Sequence, residues 1–196
     1  KKADGGRLTN SILEAHRINS EYIQTSGDDS LRNSFIEAIG HSKAAPIDRK
    51  KVHAALLRYD PGSLLHGCFL EEIDGRLRVT RAVSGFVEAK GVAVAASGGV
   101  KNNRVEPGLK EGEGNVPYHR TEFVAESIKA YFNLDLALLR SYGLPESATR
   151  LLVALALLKI RRFVSSGLRL RTACDLEPKG DGLTATRPDT FTIPGE

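Results

Sequence analysis

The residues between Ser97 and Arg120 have the side chains and the backbone freedom needed to hold a phosphate group. The segment contains five glycines and three asparagines, with several cations among them. Gly98 and Gly99 let backbone amides approach a phosphate closely, and side-chain donors follow directly after them. The segment is not a P-loop, because the spacing G-x-x-x-x-G-K-[ST] is missing. A loop this long is either functional or disordered, so the sequence predicts an RNA contact here, with a plain connection as the alternative.

A second basic region lies in the last third of the chain. Between Ser147 and Cys174 there is no acidic residue, and there are six cations: Arg150, Lys159, Arg161, Arg162, Arg169 and Arg171. Lysine and arginine contacts to phosphate supply the sequence-independent part of nucleic-acid affinity. As an alternative, these are ordinary solvent-exposed residues: Arg161 and Arg162 at the end of a helix, and Arg169 and Arg171 on the exposed face of a strand. The local charge bias favours a polyanionic partner.

No arrangement of residues predicts catalysis or a metal site. The histidines show no metal-ligand spacing, and no Ser/His/Asp or paired-carboxylate pattern stands out. Cys68 and Cys174 lie far apart and outside any C-x-x-C pair, so we expect reduced, packed thiols in a cytosolic protein. The sequence therefore predicts a cytoplasmic protein that has no cofactor and no metal ion.

The composition allows a globular protein with a polyanionic partner. The chain has 196 residues, 41% of them hydrophobic, with a net charge of +4 and a pI near 9.1. The longest apolar run, residues 151–158, is far short of the ~20 residues that span a bilayer, so no membrane partner is expected. The chain begins Lys1-Lys2 and has no methionine, which predicts a piece of a longer gene product.

Periodicity and turn signals predict the elements of the first half. Three helices are expected, over residues 8–23, 29–39 and 48–58, and Ser11 with Glu14 has the spacing of a capping box in the first of them. The step Asp74-Gly75 lies between two apolar runs and predicts a β-hairpin.

The last third predicts a strand, a helix and a strand. Apolar residues alternate over 129–143 and again over 168–177. The helix between them is apolar nearly all round at 151–158, which predicts that it is buried on all sides. A helix that covers one face of a βαβ unit leaves the other face open. That open face would carry Tyr131, Asn133, Arg169 and Arg171. This is the layout of RRM-like nucleic-acid binders, so we expect the α+β class.

Five stretches carry a family resemblance: "TNSILEAHRINSEYI", "RAVSGFVEAKGVAVAASGGVKNNRV", "GEGNVPYHRTEF", "AYFNLDLALLRSYGL" and "LLVALALLKIRRFVSSGLRLRTACDLE". Together they resemble the backbone subunit of the CRISPR type I-U (I-G) Cascade complex, a member of the RAMP superfamily. The resemblance implies an RRM-like or ferredoxin-like palm with helical and loop insertions, and no catalytic activity. It also implies that amino- and carboxyl-terminal parts of the full gene product are missing from this chain. It also implies the partners: CRISPR RNA, target DNA through the guide, further copies of the chain and other Cascade subunits.

The resemblance and the charge pattern together give a set of RNA-binding residues. By similarity, the set contains Arg17, Asn19, Ser97, Gly98, Gly99, Lys101, Asn102, Arg104, Asn115, His119 and Arg120. The basic region adds Arg162, Arg169 and Arg171. The whole chain, residues 1–196, is expected to be one RNA-binding domain, in which residues 97–120 contact RNA and the next subunit.

Two other functions stay open at this point. The first is a RAMP-type endoribonuclease that uses His16 or His119 as a general base. The second is a metabolic enzyme on a ferredoxin-like fold. Co-purified RNA of defined length would favour the scaffold over the metabolic enzyme.

Overall fold

The computed structural model describes residues 9–24, 31–42, 45–71, 73, 75, 77–95, 101–104, 115–118, 121–171, 174–180 and 183–194, and of residues 101–104, 115–118, 170, 171 and 174 it describes the backbone alone. The chain divides into two compact units. We call residues 1–84 with 132–196 the core unit and residues 85–131 the ribbon unit. Helices combine with short antiparallel strand pairs, which confirms the predicted α+β class.

The described residues form the following elements. The helices are α1 (Glu21–Gln24), α2 (Leu31–Ile39), α3 (Arg49–Tyr59), α4 (Pro61–His66), α5 (Leu136–Ser141) and α6 (Glu146–Ser165). The strands are β1 (Cys68–Phe69), β2 (Arg78–Val79), β3 (Val83–Lys90), β4 (Ala93–Ala95), β5 (Lys101–Arg104), β6 (Asn115–Tyr118), β7 (Glu122–Val124), β8 (Ser127–Leu134), β9 (Leu168–Arg171) and β10 (Cys174–Leu176).

One apolar cluster holds the core unit together. Each of five helices contributes a fully buried side chain to it: Phe35, Leu56, Leu64, Leu139 and Leu152. Burying a side chain of this size contributes about 1.5–3 kcal/mol relative to leaving it in water. The cluster therefore fixes the helices that carry the polar residues discussed below.

The amino-terminal segment is not the long helix that its periodicity predicts. It forms turns, a 3-10 turn at Arg17–Asn19 and the short α1. Asn10 Oδ1 accepts hydrogen bonds from two backbone N–H groups of the next turn, at 2.9 and 3.2 Å. The Glu14 carboxylate accepts hydrogen bonds from two hydroxyls, that of Ser20 at 2.9 Å among them, and not from the predicted cap Ser11. Such local side-chain bonds compete with helix formation.

The next three predictions for the first half are confirmed. Helices α2 and α3 form where the periodicity places them, and Asp48 caps α3 by accepting hydrogen bonds from two backbone amides. Strands β1 and β2 pair antiparallel as a hairpin. Asp74, in the turn signal, lies outside the described residues.

Gly67 precedes β1 at φ +76°, and a Cβ there would come within 2.8 Å of the Val79 carbonyl oxygen, so the position requires glycine.

The predicted βαβ unit does not form. Strand β8 ends at Leu134, and Asp135 then caps α5 by accepting a hydrogen bond from the Leu138 amide at 2.8 Å. Strand β8 pairs with β3, whereas β9 pairs antiparallel with β10. The two strands that flank α6 therefore belong to different pairs and share no open face.

Helix α6 is amphipathic, and the prediction of a helix buried all round is wrong. Its buried residues are spaced by four: Ala148, Leu152, Ala156 and Ile160. Leu151, Leu158 and Phe163 are exposed. A single stripe packs on the cluster because residues four apart share one face of a helix.

The ribbon unit consists of nested antiparallel strand pairs. Strand β3 pairs with β8, β4 with β7 and β5 with β6. Each outgoing strand thus pairs with its counterpart on the return, as in one long interrupted hairpin. The segment 97–120, predicted as a loop, contains two of these strands, Lys101–Arg104 and Asn115–Tyr118. The loop prediction is corrected for those residues, and the rest of the segment lies outside the described residues.

Candidate nucleic-acid interface

The ribbon unit positions four of the predicted RNA-binding residues on one strand pair. In the register of β5 and β6, Arg104 lies opposite Asn115 and Lys101 lies opposite Tyr118. Successive residues of a strand alternate between its two faces. Asn102 and Arg104 therefore share one face with Asn115, while Lys101 lies on the other face. The predicted cluster is divided between both faces of the ribbon.

Five further predicted residues are not placed. Ser97, Gly98, Gly99, His119 and Arg120 lie outside the described residues. They flank β5 and β6 in sequence, and their role in RNA binding stays a prediction.

The ribbon unit also exposes large apolar side chains, which sequence reasoning missed. Val94 and Phe123 are cross-strand partners and are 68% and 63% exposed. Phe86 is exposed as well, and its ring stacks on that of Tyr131 at a centroid distance of 4.8 Å. Apolar groups this exposed on a strand pair are typical of a surface that another molecule covers. The sequence signal for this surface is the set of valines and phenylalanines in segments that contain no helical pattern: Phe86, Val87, Val92, Val94, Phe123 and Val124.

In the core unit, Arg17 and Asn19 are half-buried and have internal partners. Arg17 Nη1 donates a hydrogen bond to the Gly67 carbonyl oxygen at 2.6 Å, and the Arg17 backbone has φ +50°, which is rare outside glycine. Asn19 Oδ1 accepts a hydrogen bond from Gln24 Nε2 at 3.2 Å. Both residues therefore hold the amino-terminal segment in place, and Arg17 in addition lines a cleft.

That cleft brings together three basic side chains from distant parts of the core unit. Lys159 Nζ of α6 donates a hydrogen bond to His66 Nε2 of α4 at 3.0 Å, and Arg17 lines the same cavity of about 310 Å³. Burial, followed by the charge of Lys159, lowers the pKa of His66, so its neutral ring is the acceptor near pH 7. Burial also lowers the pKa of Lys159.

Two carboxylates offset the positive charge of this cleft. Asp60 and Glu14 both line it, and Asp60 Oδ2 accepts a hydrogen bond from the Ser63 hydroxyl at 2.7 Å. Hydrogen bonds from hydroxyls, that of Thr9 first, lower the pKa of Glu14, so Glu14 is ionised at neutral pH. The formal charges of the cleft therefore balance. Sequence reasoning included Arg17 but neither His66 nor Lys159 as a site residue, since nothing local relates positions so far apart.

The predicted basic residues of the last third lie on two elements, α6 and β9. Arg162 is exposed near the end of α6, and Arg169 on β9 is exposed and pairs with Asp175 at 3.8 Å. The backbone of Arg171 pairs with that of Cys174. Exposed ion pairs contribute about 0–1 kcal/mol, so Arg169 is available for an anionic partner at little cost in stability.

The described part of the chain offers little support for metal binding, thiol chemistry or membrane spanning. There, no three His, Cys, Asp or Glu residues come together as metal ligands. Burial raises the pKa of the Cys68 thiol to about 11, which keeps it protonated and unreactive. None of the helices formed by the described residues is long and apolar enough to cross a membrane.

The described residues define an α+β protein with a helical core unit and a ribbon unit of antiparallel strand pairs. The model of the family described as CRISPR-associated protein GSU0053 (Cas_GSU0053) matches residues 2–94, just under half of the chain. The match shows a CRISPR-associated protein. The matched residues include Arg17, the cleft residue His66, strand β3 and the first two residues of β4. A search among curated proteins finds no match.

Proposed function

We propose that this CRISPR-associated chain is a non-catalytic scaffold that binds CRISPR RNA along its backbone. In this proposal it is the RAMP-superfamily backbone subunit of a type I-U (I-G) Cascade complex. Several copies and other Cascade subunits assemble on one guide. The protein reads the backbone and shape of the RNA, while base pairing between guide and target DNA reads the sequence.

The ribbon unit is the observation that carries the proposal. Its strands β5 and β6 hold Lys101, Arg104 and Asn115, which are donors suited to phosphate and sugar oxygens. The same ribbon exposes Val94 and Phe123, which lack a covering partner within the described residues. The donors serve RNA, and the apolar pair serves contact with the next copy.

Such a contact explains how a chain of copies would grow. One surface of a copy binds a different surface of the next copy, so the interface is heterologous and does not close on itself. The result is a helical filament whose length is set by the RNA.

The test is a charge reversal on the ribbon. Replacing Lys101 and Arg104 by Glu should weaken binding of single-stranded RNA. For the wild type, a plot of log affinity against log salt concentration should be linear, with a slope of about −0.7 per neutralised phosphate. The control variant, Lys179→Glu with Arg187→Glu, makes the same change in net charge at exposed positions of the core unit. Equal affinity of the two variants, or a wild-type affinity that does not change with salt, would contradict the proposal.

The cleft at His66 supports a second candidate function, a metal-free endoribonuclease. It places a neutral imidazole beside Lys159 and Arg17, the residue types that act as base and charge stabiliser in RNA cleavage. Under our main proposal the wild type leaves guide precursor and complementary RNA uncut, and His16→Ala and His119→Ala change RNA affinity at most modestly. Cleavage products that disappear in His66→Ala would favour the nuclease.

A further inference from the structure

A second cavity of the core unit lies where α3 meets the end of α5, and it shares no lining residue with the cleft at His66. Its volume is about 300 Å³. Its polar lining comes from Arg49, Lys50, His53, Thr80 and Ser141. No carboxylate lines it among the described residues, in contrast to the cleft at His66.

The His53 ring is held in a fixed orientation in this cavity. Its Nδ1–H donates a hydrogen bond to the Tyr142 carbonyl oxygen at 3.2 Å. The centroids of the His53 and Tyr142 rings are 4.4 Å apart. Tyr142 is itself anchored, because its hydroxyl donates to the Leu64 carbonyl oxygen at 2.9 Å. A carbonyl oxygen only accepts, so the neutral ring carries its proton on Nδ1. Nε2, which has no hydrogen-bond partner among the described residues, becomes a second donor when the ring is protonated.

The two cations of the cavity lie on the same helix as His53. Arg49 and His53 are four residues apart and share one face of α3. The Lys50 stem runs beside Gly143, where its Cδ is 3.4 Å from the position that a Cβ of residue 143 would take. Asp48 is the nearest acid in sequence, and its carboxylate accepts hydrogen bonds from the backbone amides of Lys50 and Lys51.

Among the described residues, the groups that line the cavity around His53 are cationic or neutral. They are Arg49 and Lys50 from α3, Val79 and Thr80 from the end of β2, and Leu138, Ser141, Tyr142 and Gly143 from α5 and the turn after it. Burial, and then the charge of Arg49, lowers the pKa of His53 against the opposing effect of the Tyr142 carbonyl. An anion in the cavity would favour the protonated ring, so anion binding and proton uptake by His53 are coupled.

We infer that the cavity between α3 and α5 binds a phosphodiester group of RNA. A phosphate offers several oxygens to donors that approach from different directions, as Arg49, Lys50 and His53 do here. Guanidinium and ammonium groups are the common protein ligands of phosphate. This inference rests on the proposed function and adds a second RNA contact, in the core unit.

The experiment compares two neighbouring lysines of α3. Lys50 lines the cavity, whereas Lys51, which is also exposed, does not. Affinity of the full chain for a single-stranded RNA without terminal phosphates is measured by fluorescence anisotropy for the wild type, Lys50→Gln, Arg49→Gln and Lys51→Gln. We expect Lys50→Gln and Arg49→Gln to lower affinity about tenfold, the size of a lost charge-assisted hydrogen bond, and Lys51→Gln to change it by less than about twofold.

The pH dependence tests the role of His53 in the same assay. Internal phosphodiesters lack the ionisation near pH 6 that phosphomonoesters have. We expect wild-type affinity to rise between pH 8 and pH 6, and His53→Gln to remove most of that rise. Melting temperatures of all variants are measured alongside, so that loss of folding is recognised.

The outcomes separate the inference from the proposed function. If the wild type binds RNA and Lys50→Gln binds as tightly as Lys51→Gln, the inference is overturned and the scaffold stands. If inorganic phosphate shifts the His53 ring resonances in NMR spectra but RNA does not, the RNA source is overturned. If the wild type binds no RNA at all, the proposed function fails and the inference fails with it.

Discussion

The core unit and the ribbon unit of this chain treat their apolar side chains in opposite ways. In the core unit, Leu56 and Leu152 are removed from water entirely. In the ribbon unit, Val94 and Phe123 remain mostly exposed although their strands pair with each other. An isolated two-stranded hairpin is marginally stable in water. The difference teaches that the core unit provides stability, while the apolar surface of the ribbon remains available for a partner.

The largest effect is expected from a change in the core unit. Leu152→Ala leaves a cavity in the apolar cluster and should lower the free energy of unfolding by about 2–5 kcal/mol. The neighbouring Leu151 is the matched control, because it lies on the same helix and is 57% exposed. Leu151→Ala should stay within about 0.5 kcal/mol of the wild type. Urea denaturation measures both, and equal losses would contradict the division between the two faces of α6.

A smaller effect, of a different kind, is expected in the ribbon unit. Val94→Ser with Phe123→Ser should leave the melting temperature nearly unchanged, since both side chains are exposed. It should weaken assembly of copies on RNA about tenfold or more, because burial of one such side chain contributes about 1.5–3 kcal/mol. Light scattering coupled to size-exclusion chromatography measures assembly, with Ala130→Ser as the control for a polar change on the ribbon. Normal assembly of the double variant would remove the apolar pair from the interface.

The smallest effect concerns pH and returns to the core unit. The pKa of His66 is lowered in the folded state, so its neutral form contributes stability that is present above the unfolded pKa of about 6.5 and is lost as pH falls through the folded value. We expect the melting temperature to fall from pH 7.5 to pH 5.5. In a chain of this size, one kcal/mol corresponds to a shift in melting temperature of about 2–4 °C. His66→Gln should reduce the fall by less than that, because the ring is only half-buried and is screened by solvent.

A second variant checks the physical cause. Lys159→Met removes the nearest positive charge and should also make stability less dependent on pH. If both variants keep the wild-type pH profile, the cleft at His66 does not titrate as described.

Local signals in the sequence predicted local structure well. The periodicity of α2 and α3 and the turn signal between β1 and β2 each act within a few residues, and both helices and the hairpin form. One local signal was overlooked. Asp135 interrupts the alternating pattern and caps α5, which converts the second half of the predicted strand into a helix.

Interactions between distant positions were not predictable in this way. The pairing of β3 with β8 and the hydrogen bond between Lys159 and His66, 93 residues apart, depend on how the chain folds back. Periodicity reports which face of an element is buried, not which other element covers it.

The central claim is that copies of this chain assemble along RNA. Native mass spectrometry of the wild type with single-stranded RNAs of increasing length tests it most directly. We predict that the number of bound copies rises in steps as the RNA is lengthened, because each copy covers a fixed stretch of backbone. A single copy on RNAs of every length, or no RNA-bound species, would contradict the account.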